Sequence, residues 1–152
     1  MDFQDYVTES GQIYLRDVSP EFKAKEGEVA DDDRAWVIIR QRTQADETRR
    51  KDLQGNRESK YDLHPDGSVK SIGRVFSAND ERLKALEVYL CLKDAGNLTL
   101  KGKPIFTKLP TRDHPMKEFD AIWGGLHPML ATALHNAVIS VNVDWAYDAG
   151  EL

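Results

Sequence analysis

The sequence predicts an α+β fold in which a small β-rich N-terminal part packs on about three C-terminal helices. Two observations support this prediction. In the first third of the chain the strongest pattern is AWVIIR at residues 35–40, where aromatic and β-branched residues favour a strand. The second half instead carries apolar residues at helical spacing. With 152 residues, the chain is long enough to build one hydrophobic core.

Acidic residues are concentrated at the start of the chain. Residues 1–33 contain ten acids against three basic residues, whereas residues 34–60 are rich in arginine. We therefore predict an acidic N-terminal arm with one short strand at 1–33, followed by a single α+β domain at 34–152. The two oppositely charged segments are interpreted as solvated surfaces with some mutual attraction, and contact of each with a partner is the alternative.

The overall composition argues against several classes of protein. The net charge of −5 disfavours a general nucleic-acid binder, because neutralising phosphates requires clustered Lys and Arg. Cys91 is the single cysteine, which excludes an intrachain disulfide, and its neighbours Leu90 and Leu92 favour a buried, unreactive thiol. No apolar run approaches the roughly 20 residues of a transmembrane helix, and the N-terminus lacks a signal-peptide pattern. We expect a cytoplasmic protein.

The first 33 residues show weak local patterns. Alternation at residues 12–18 favours a short strand, and the charged stretch at 21–33 favours a loop. The three aspartates at 31–33 resemble a metal-binding cluster at first sight. We interpret them as solvated carboxylates, because no glycine-spaced calcium loop surrounds them.

A polar helix is predicted at residues 44–54. Thr43 is suited to be its N-cap, Asp46 completes a capping box, and Gly55 is a stop. Because this helix has few apolar residues, it is marginal alone and is expected to be ordered when a partner covers it. Beyond it, Pro-Asp-Gly at residues 65–67 predicts the turn of a hairpin.

The second half predicts three helices and, around residues 101–102, an ordered connector or a short hairpin. Ser77 is the candidate N-cap of the first helix, and Gly96 is its stop. Pro115 begins the second helix and Pro128 the third. Their apolar stripes comprise Leu83, Leu86 and Leu90, then Phe119, Ile122 and Trp123, then Leu130, Leu134, Ala137, Val138 and Val141.

The C-terminal region carries aromatic residues with two interpretations. Trp145 and Tyr147 either close over the core or contact a partner. His135 falls opposite the apolar stripe of the last helix and is predicted to be solvated. Leu130 and Leu134, by contrast, are predicted to fill the core.

The sequence shows no pattern typical of catalysis. None of the four histidines forms an HxxxH pair, the single cysteine excludes a CxxC zinc site, and phosphate-loop and nucleophile-elbow motifs are missing from the sequence. We therefore predict a non-enzymatic protein with no catalytic residue, metal or cofactor. The arginine-rich run at 40–57 lacks aromatic residues for base stacking, so nucleic acid is not the expected partner.

Several segments together resemble one protein family. The strand AWVIIRQRT runs directly into the polar helix ADETRRKDL, and a later helix, ERLKALEVYLCLKDAGN, runs into KGKPIFT. The last such segment is EFDAIWGGLHPMLATALHNAVISVN. Over residues 35–142 this order resembles the tail assembly chaperones of long-tailed bacteriophages. Residues 1–33, the turn at 65–67 and the aromatic tail lie outside the resemblance.

The resemblance implies a non-enzymatic chaperone in the host cytoplasm that coats the tape-measure protein and helps to recruit tail-tube subunits. Two alternatives stay open. One is a structural subunit of a phage particle, such as a connector, baseplate or capsid-associated protein, and the other is a regulatory protein-binding module. The candidate partner-binding residues are Phe119, Trp123, Trp145, Tyr147, Arg49 and Arg50.

Overall fold

A computed structural model describes residues 9–58, 62–63, 69–71 and 73–145, with side chains described within 9–53 and 81–145. These ranges form an α+β fold, as predicted. The helices are α1 Leu15–Val18, α2 Pro20–Glu26, α3 Gln44–Glu58, α4 Gly73–Cys91, α5 Met116–Gly124 and α6 Pro128–Val141. The strands are β1 Ile13–Tyr14, β2 Trp36–Ile39, β3 Asp62–Leu63, β4 Val69–Ser71, β5 Leu92–Gly96, β6 Thr99–Leu100 and β7 Lys103–Pro104. No helix within these ranges is long and apolar enough to cross a membrane.

Strands β1, β2 and β5 form a three-stranded antiparallel sheet in the order β1-β2-β5. Its central strand, β2, confirms the strand predicted at residues 35–40. Ile13 pairs with Val37, and Ile39 pairs with Leu92. Val37 and Ile39 are completely buried because they point to the face of the sheet that is covered by helices.

Strand β5 corrects the prediction that the helix before it runs on to Gly96. Helix α4 ends at Cys91, and the chain then pairs along β2, with the Arg40 amide donating to the Cys91 carbonyl at 2.8 Å. Gly96 lies directly against Trp36, and a Cβ atom there would be 2.3 Å from the indole ring. The glycine therefore permits close strand packing instead of ending a helix.

The described part of the N-terminal segment belongs to the same core as the rest of the chain. Leu15 is completely buried, and its amide donates to the Ala35 carbonyl at 3.1 Å. The described residues of the predicted N-terminal arm therefore contact the predicted α+β domain directly. The strand predicted at 12–18 is limited to β1, because the chain turns into α1 at Leu15.

The loop predicted at residues 21–33 contains helix α2. Ser19 caps this helix by accepting a hydrogen bond from the Phe22 amide at 3.2 Å, and Pro20 occupies its first turn. Helix α2 ends at Gly27, whose φ of 73° is one that glycine adopts readily. The Ser-Pro start signal of this stretch therefore outweighs its high charge.

The predicted capping box of α3 is confirmed. The Asp46 amide donates to the Thr43 hydroxyl at 3.3 Å, and the Thr43 amide donates to the Asp46 carboxylate at 2.9 Å. The helix continues past the predicted stop at Gly55 to Glu58. A single glycine inside a helix costs about 1 kcal/mol and does not by itself end it.

Two short antiparallel strand pairs lie in the regions where the sequence predicts a hairpin or a connector. Strands β3 and β4 pair antiparallel, although the predicted turn at 65–67 lies outside the described residues. Strands β6 and β7 are joined by Lys101 and Gly102, both with positive φ, as a two-residue hairpin turn requires. Helix α4 begins at Gly73, four residues before the predicted cap at Ser77. Ser77 therefore lies inside the helix, where serine is tolerated.

The hydrophobic core lies between the sheet and helices α4, α5 and α6. Cys91 is buried as predicted, as are Leu134 and Val138 on the apolar stripe of α6. Leu130 is half-buried against the same core. Helix α6 begins at Pro128 as predicted, and Pro115 is the N-cap that precedes α5.

Candidate functional site

A groove of about 500 Å³ lies between helices α3, α4 and α5. Its apolar surface comes from five residues, and five charged residues complete its lining. The apolar residues are Leu53, Ala85, Leu86, Met116 and Trp123. The charged residues are Arg49, Asp52, Glu81, Arg82 and Asp120. We call this surface the groove.

Aromatic packing positions the largest side chain of the groove. Trp123 is half-buried and stacks on Phe119 with ring centroids 6.0 Å apart. Phe119 is completely buried and lies 5.2 Å from the ring of Tyr89. The Arg49 guanidinium lies 5.5 Å from the centroid of the Tyr89 ring, so a cation–π contact holds it at the same surface.

Two of the six predicted partner-binding residues, Arg49 and Trp123, therefore line the groove together. Phe119 is buried behind Trp123 and supports it, so its predicted role as a direct contact residue is corrected. Tyr147 lies outside the described residues.

Arg50 and Trp145 are also corrected as direct contact residues, because both are buried in the body of the protein. Trp145 has no exposed surface and Arg50 is 1% exposed. Of the two interpretations of Trp145, closure over the core is the one that the structure shows. Its indole Nε1 donates to the Glu47 carboxylate at 2.8 Å.

A buried polar cluster joins α3, α4 and α6. It consists of Arg50, Glu87 and His135. The Arg50 Nε donates to one oxygen of Glu87 at 3.4 Å, and the other oxygen lies 3.2 Å from His135 Nε2. Glu87 has no exposed surface and His135 is 3% exposed, so the prediction of a solvated His135 was wrong. Glu87 was not among the predicted site residues, although an acid within the apolar stripe of α4 indicates a buried ion pair.

A second set of polar contacts fixes the start of α3. The Asp46 carboxylate is 1% exposed and accepts from the Arg40 guanidinium at 2.9 Å, while the Arg112 guanidinium lies 3.5 Å from its other oxygen. Arg42 pairs with Glu47 and with Asp144, and its guanidinium lies 5.9 Å from the Trp145 ring centroid. The first turns of α3 are thus held mainly by charged groups.

The thiol of Cys91 does not belong to the groove. Burial, followed by the charge of Asp46, raises the pKa of Cys91 to about 12. Such a thiol is protonated at neutral pH and is a poor nucleophile. Within the described residues, no group of three or more His, Cys, Asp and Glu side chains is arranged to hold a metal ion.

A polar cavity of about 780 Å³ lies on the opposite side of α3 from the groove. Helix α3 contributes Gln44, Glu47 and Lys51 to it, and the end of α6 contributes Val141. The same helix therefore forms a wall of both cavities. Comparisons of the chain with protein-family models, curated proteins and solved structures give no match.

Proposed function

We propose that this protein is a non-enzymatic tail assembly chaperone that binds a helical segment of a phage tape-measure protein in the groove. The groove is the observation that carries the proposal, because it combines an apolar surface with a charged rim on three helices. The proposal extends to the recruitment of tail-tube subunits and to action in the host cytoplasm, as the sequence resemblance implies.

The shape and chemistry of the groove suit an amphipathic helix as the occupant. Such helices commonly bind by placing side chains at i, i+3, i+4 and i+7 into an apolar groove. Trp123 and Arg49 are of the residue types that contribute most at protein interfaces, and the flexible thioether of Met116 adapts to different client side chains. A volume of about 500 Å³ is suited to a few apolar side chains.

The charges at the rim fit a client that must later be released. Arg49 and Arg82 lie beside Asp52, Glu81 and Asp120 in the lining of the groove. Rim charges of both signs stay hydrated and add little affinity, so that binding depends on the apolar surface between them. A chaperone that leaves its client before the tail matures requires such a reversible contact.

We propose no enzymatic activity, because the buried acid and histidine that could act as catalytic groups make structural contacts instead. Glu87 and His135 are buried against each other and against Arg50, away from the residues that line the groove. All of the groove residues also lie within the span at 35–142 that resembles the phage chaperones. The groove and the resemblance therefore support the same proposal independently.

Co-expression with a tape-measure protein tests the proposal. The wild-type chain is expected to increase the amount of soluble tape-measure protein and to co-purify with it. Trp123→Ala should abolish both effects while leaving a folded protein, because Trp123 is half-buried at the surface. The matched control is Leu100→Ala, which removes an apolar side chain that is 65% exposed on the β6–β7 hairpin.

Two results would contradict the chaperone assignment. One is a wild-type protein that forms no complex, and the other is a Trp123→Ala variant that binds as well as the wild type. Mass spectrometry of purified virions separates the alternative of a structural subunit. Such a subunit would use the charged N-terminal segment and the aromatic tail as lattice contacts, but Leu15 and Trp145 are both buried. A stoichiometric amount of this chain in virions would nevertheless favour it.

A further inference from the structure

Helix α3 forms one wall of the groove, yet few apolar contacts hold its described side chains. Ala45 is exposed and Leu53 is half-buried, whereas Asp46 and Arg50 are each 1% exposed. Because residues four apart lie on the same face of a helix, Asp46 and Arg50 together point into the body. The position of α3 therefore depends on directional polar contacts.

The residue after α6 that makes most of these contacts is Trp145. Its Nε1 donates to Glu47 at 2.8 Å, its carbonyl accepts from Arg50 at 3.5 Å, and its ring lies 5.2 Å from the Arg50 guanidinium. We call these contacts the Trp145 anchor. They attach the C-terminal end of the described chain to the first half of α3.

The groove lies immediately beside these contacts on the same helix. Glu47 and Arg50 belong to the anchor, and Arg49, Asp52 and Leu53 line the groove. A helix moves largely as a rigid body over this distance, so a shift at Glu47 and Arg50 also displaces the three groove residues. The anchor and the groove are thus mechanically linked without sharing a residue.

We propose that the Trp145 anchor is a conformational device that holds α3 in the position in which the groove binds its client. Loss of the anchor allows α3 to move away from α4 and α5. By thermodynamic linkage, a client that grips α3 in the anchored position also strengthens the anchor. This last statement rests on the proposed function, whereas the control of α3 by Trp145 does not.

Hydrogen exchange of the protein without client tests the anchor by itself. In Trp145→Phe, which keeps an aromatic ring but loses the indole donor, the amides of α3 should exchange roughly tenfold faster, because the Glu47 contact is lost. Amides at residues 133–138 of α6 should keep their wild-type rates. Exchange rates in α3 equal to those of the wild type would overturn the proposal. So would an increase of the same size in α3 and α6.

A second variant keeps the test decisive if Trp145→Phe folds poorly. Glu47→Ala removes the acceptor of the indole hydrogen bond and leaves Trp145 in place. It should accelerate exchange in α3 to a similar extent. The matched control is Thr48→Ala, an exposed neighbour on α3 that makes no contact with Trp145 among those described, and it should leave the rates unchanged. Failure of Glu47→Ala to change α3 would also overturn the proposal.

The reciprocal effect is measured on the tryptophan itself. Binding of a tape-measure fragment should slow exchange of the Trp145 indole N–H severalfold by NMR, although Trp145 does not line the groove. If the fragment does not bind at all, the proposed function fails while the client-free result still decides on the anchor. If the fragment binds and the indole exchange is unchanged, the linkage is wrong.

Discussion

Helices α3 and α6 pack against the same body by different means. Helix α6 is held by the completely buried side chains of Ala133, Ala137 and Val138, together with Leu134. Helix α3 is held by Asp46 and Arg50, and the apolar stripe that fixes α6 is lacking from its described side chains. Apolar packing tolerates small shifts, whereas ion pairs and hydrogen bonds depend steeply on distance and angle.

The polar contacts of α3 define the position of one wall of the groove more narrowly than apolar packing would. A buried charge pair adds little net stability compared with apolar packing, but leaving one of its members alone is costly. The described side chains of α3 therefore define its position mainly through directional polar contacts. Helix α6, which is followed by Trp145, remains part of the core. A displacement of α3 is therefore expected relative to α6.

The largest expected effect is at Glu87, which joins α3 to α6 through Arg50 and His135. Glu87→Leu removes the carboxylate that faces the buried Arg50 guanidinium, and we expect the free energy of unfolding to fall by about 3–5 kcal/mol. Urea unfolding measures this change. Glu81→Leu, at an exposed position on the same helix, is the matched control and should change stability by less than about 0.5 kcal/mol.

A double variant sharpens the test of Glu87. In Arg50→Met with Glu87→Leu, both charges are replaced by apolar side chains, so that much of the lost stability should return. A double variant that is as unstable as the sum of the two single variants would show that the pair does not act as a unit. It would also remove the contrast with α6, where the stability losses of separate apolar substitutions are expected to be additive.

A somewhat smaller effect is expected at Leu134 on α6. Leu134→Ala leaves a cavity in the core, and the free energy of unfolding should fall by about 2–5 kcal/mol in urea unfolding. Leu130→Ala, at a half-buried position one turn earlier, is expected to cost less. Equal losses at the two positions would contradict the account of α6 as a core element.

The N-cap of α3 gives a smaller and more local effect. Thr43→Ala removes the hydroxyl that accepts from the Asp46 amide, and it should cost about 1 kcal/mol. Hydrogen exchange should place this loss in α3 and leave α6 unaffected. Thr48→Ala, within the same helix but outside the capping box, controls for the loss of a threonine side chain. A uniform change over both helices would contradict a local cap.

The smallest effect is expected at Cys91, the last residue of α4, whose thiol contacts the C-cap residue of α6. Its Sγ lies 3.8 Å from the side-chain amide nitrogen of Asn142, directly after α6. Its raised pKa of about 12 leaves almost no thiolate at pH 8. Alkylation by iodoacetamide should therefore be slow in the wild type and equally slow in Glu47→Ala, where only α3 is loosened.

An exposed thiol provides the control for the alkylation rate. The thiol introduced by Leu100→Cys should be alkylated rapidly at the hairpin while Cys91 in the same molecule stays unmodified. Alkylation of Cys91 at a rate similar to that of the introduced thiol would show that α6 opens as readily as α3, and the comparison of the two helices would fail.

The raised pKa of Cys91 also predicts a pH dependence of stability. The free energy of unfolding should fall as the pH rises above 9.0, the pKa of the unfolded thiol, because the unfolded thiol loses its proton first.

Local patterns predicted much of the fold because several elements are specified by neighbouring residues. The capping box of Thr43 and Asp46 fixed the start of α3, and the Pro128 start and apolar stripe of α6 needed no distant partner. Strand β5 was missed because its structure depends on pairing with β2, more than 50 residues earlier. In that case tertiary pairing overrides the local helical pattern.

The groove was predicted only in part, for a related reason. Arg49 and Trp123 were singled out as candidate contact residues, but their proximity depends on how α3, α4 and α5 pack. Burial of His135 was missed because a polar residue was assumed to face solvent. Glu87 lies four residues after Leu83 on the apolar stripe of α4. An acid at such a buried position requires a buried polar or charged partner, so the sequence did indicate one.

Site-specific photo-crosslinking tests the claim on which the proposed function rests, namely that the groove is the client-binding surface. A photoreactive amino acid would replace Asp52 or Asp120 on the rim of the groove, or Lys103 on the exposed β6–β7 hairpin, in cells that express a tape-measure protein. We predict crosslinks to the client from residues 52 and 120 and none from residue 103. Crosslinks from residue 103 alone, or equal crosslinking at all three positions, would contradict the claim.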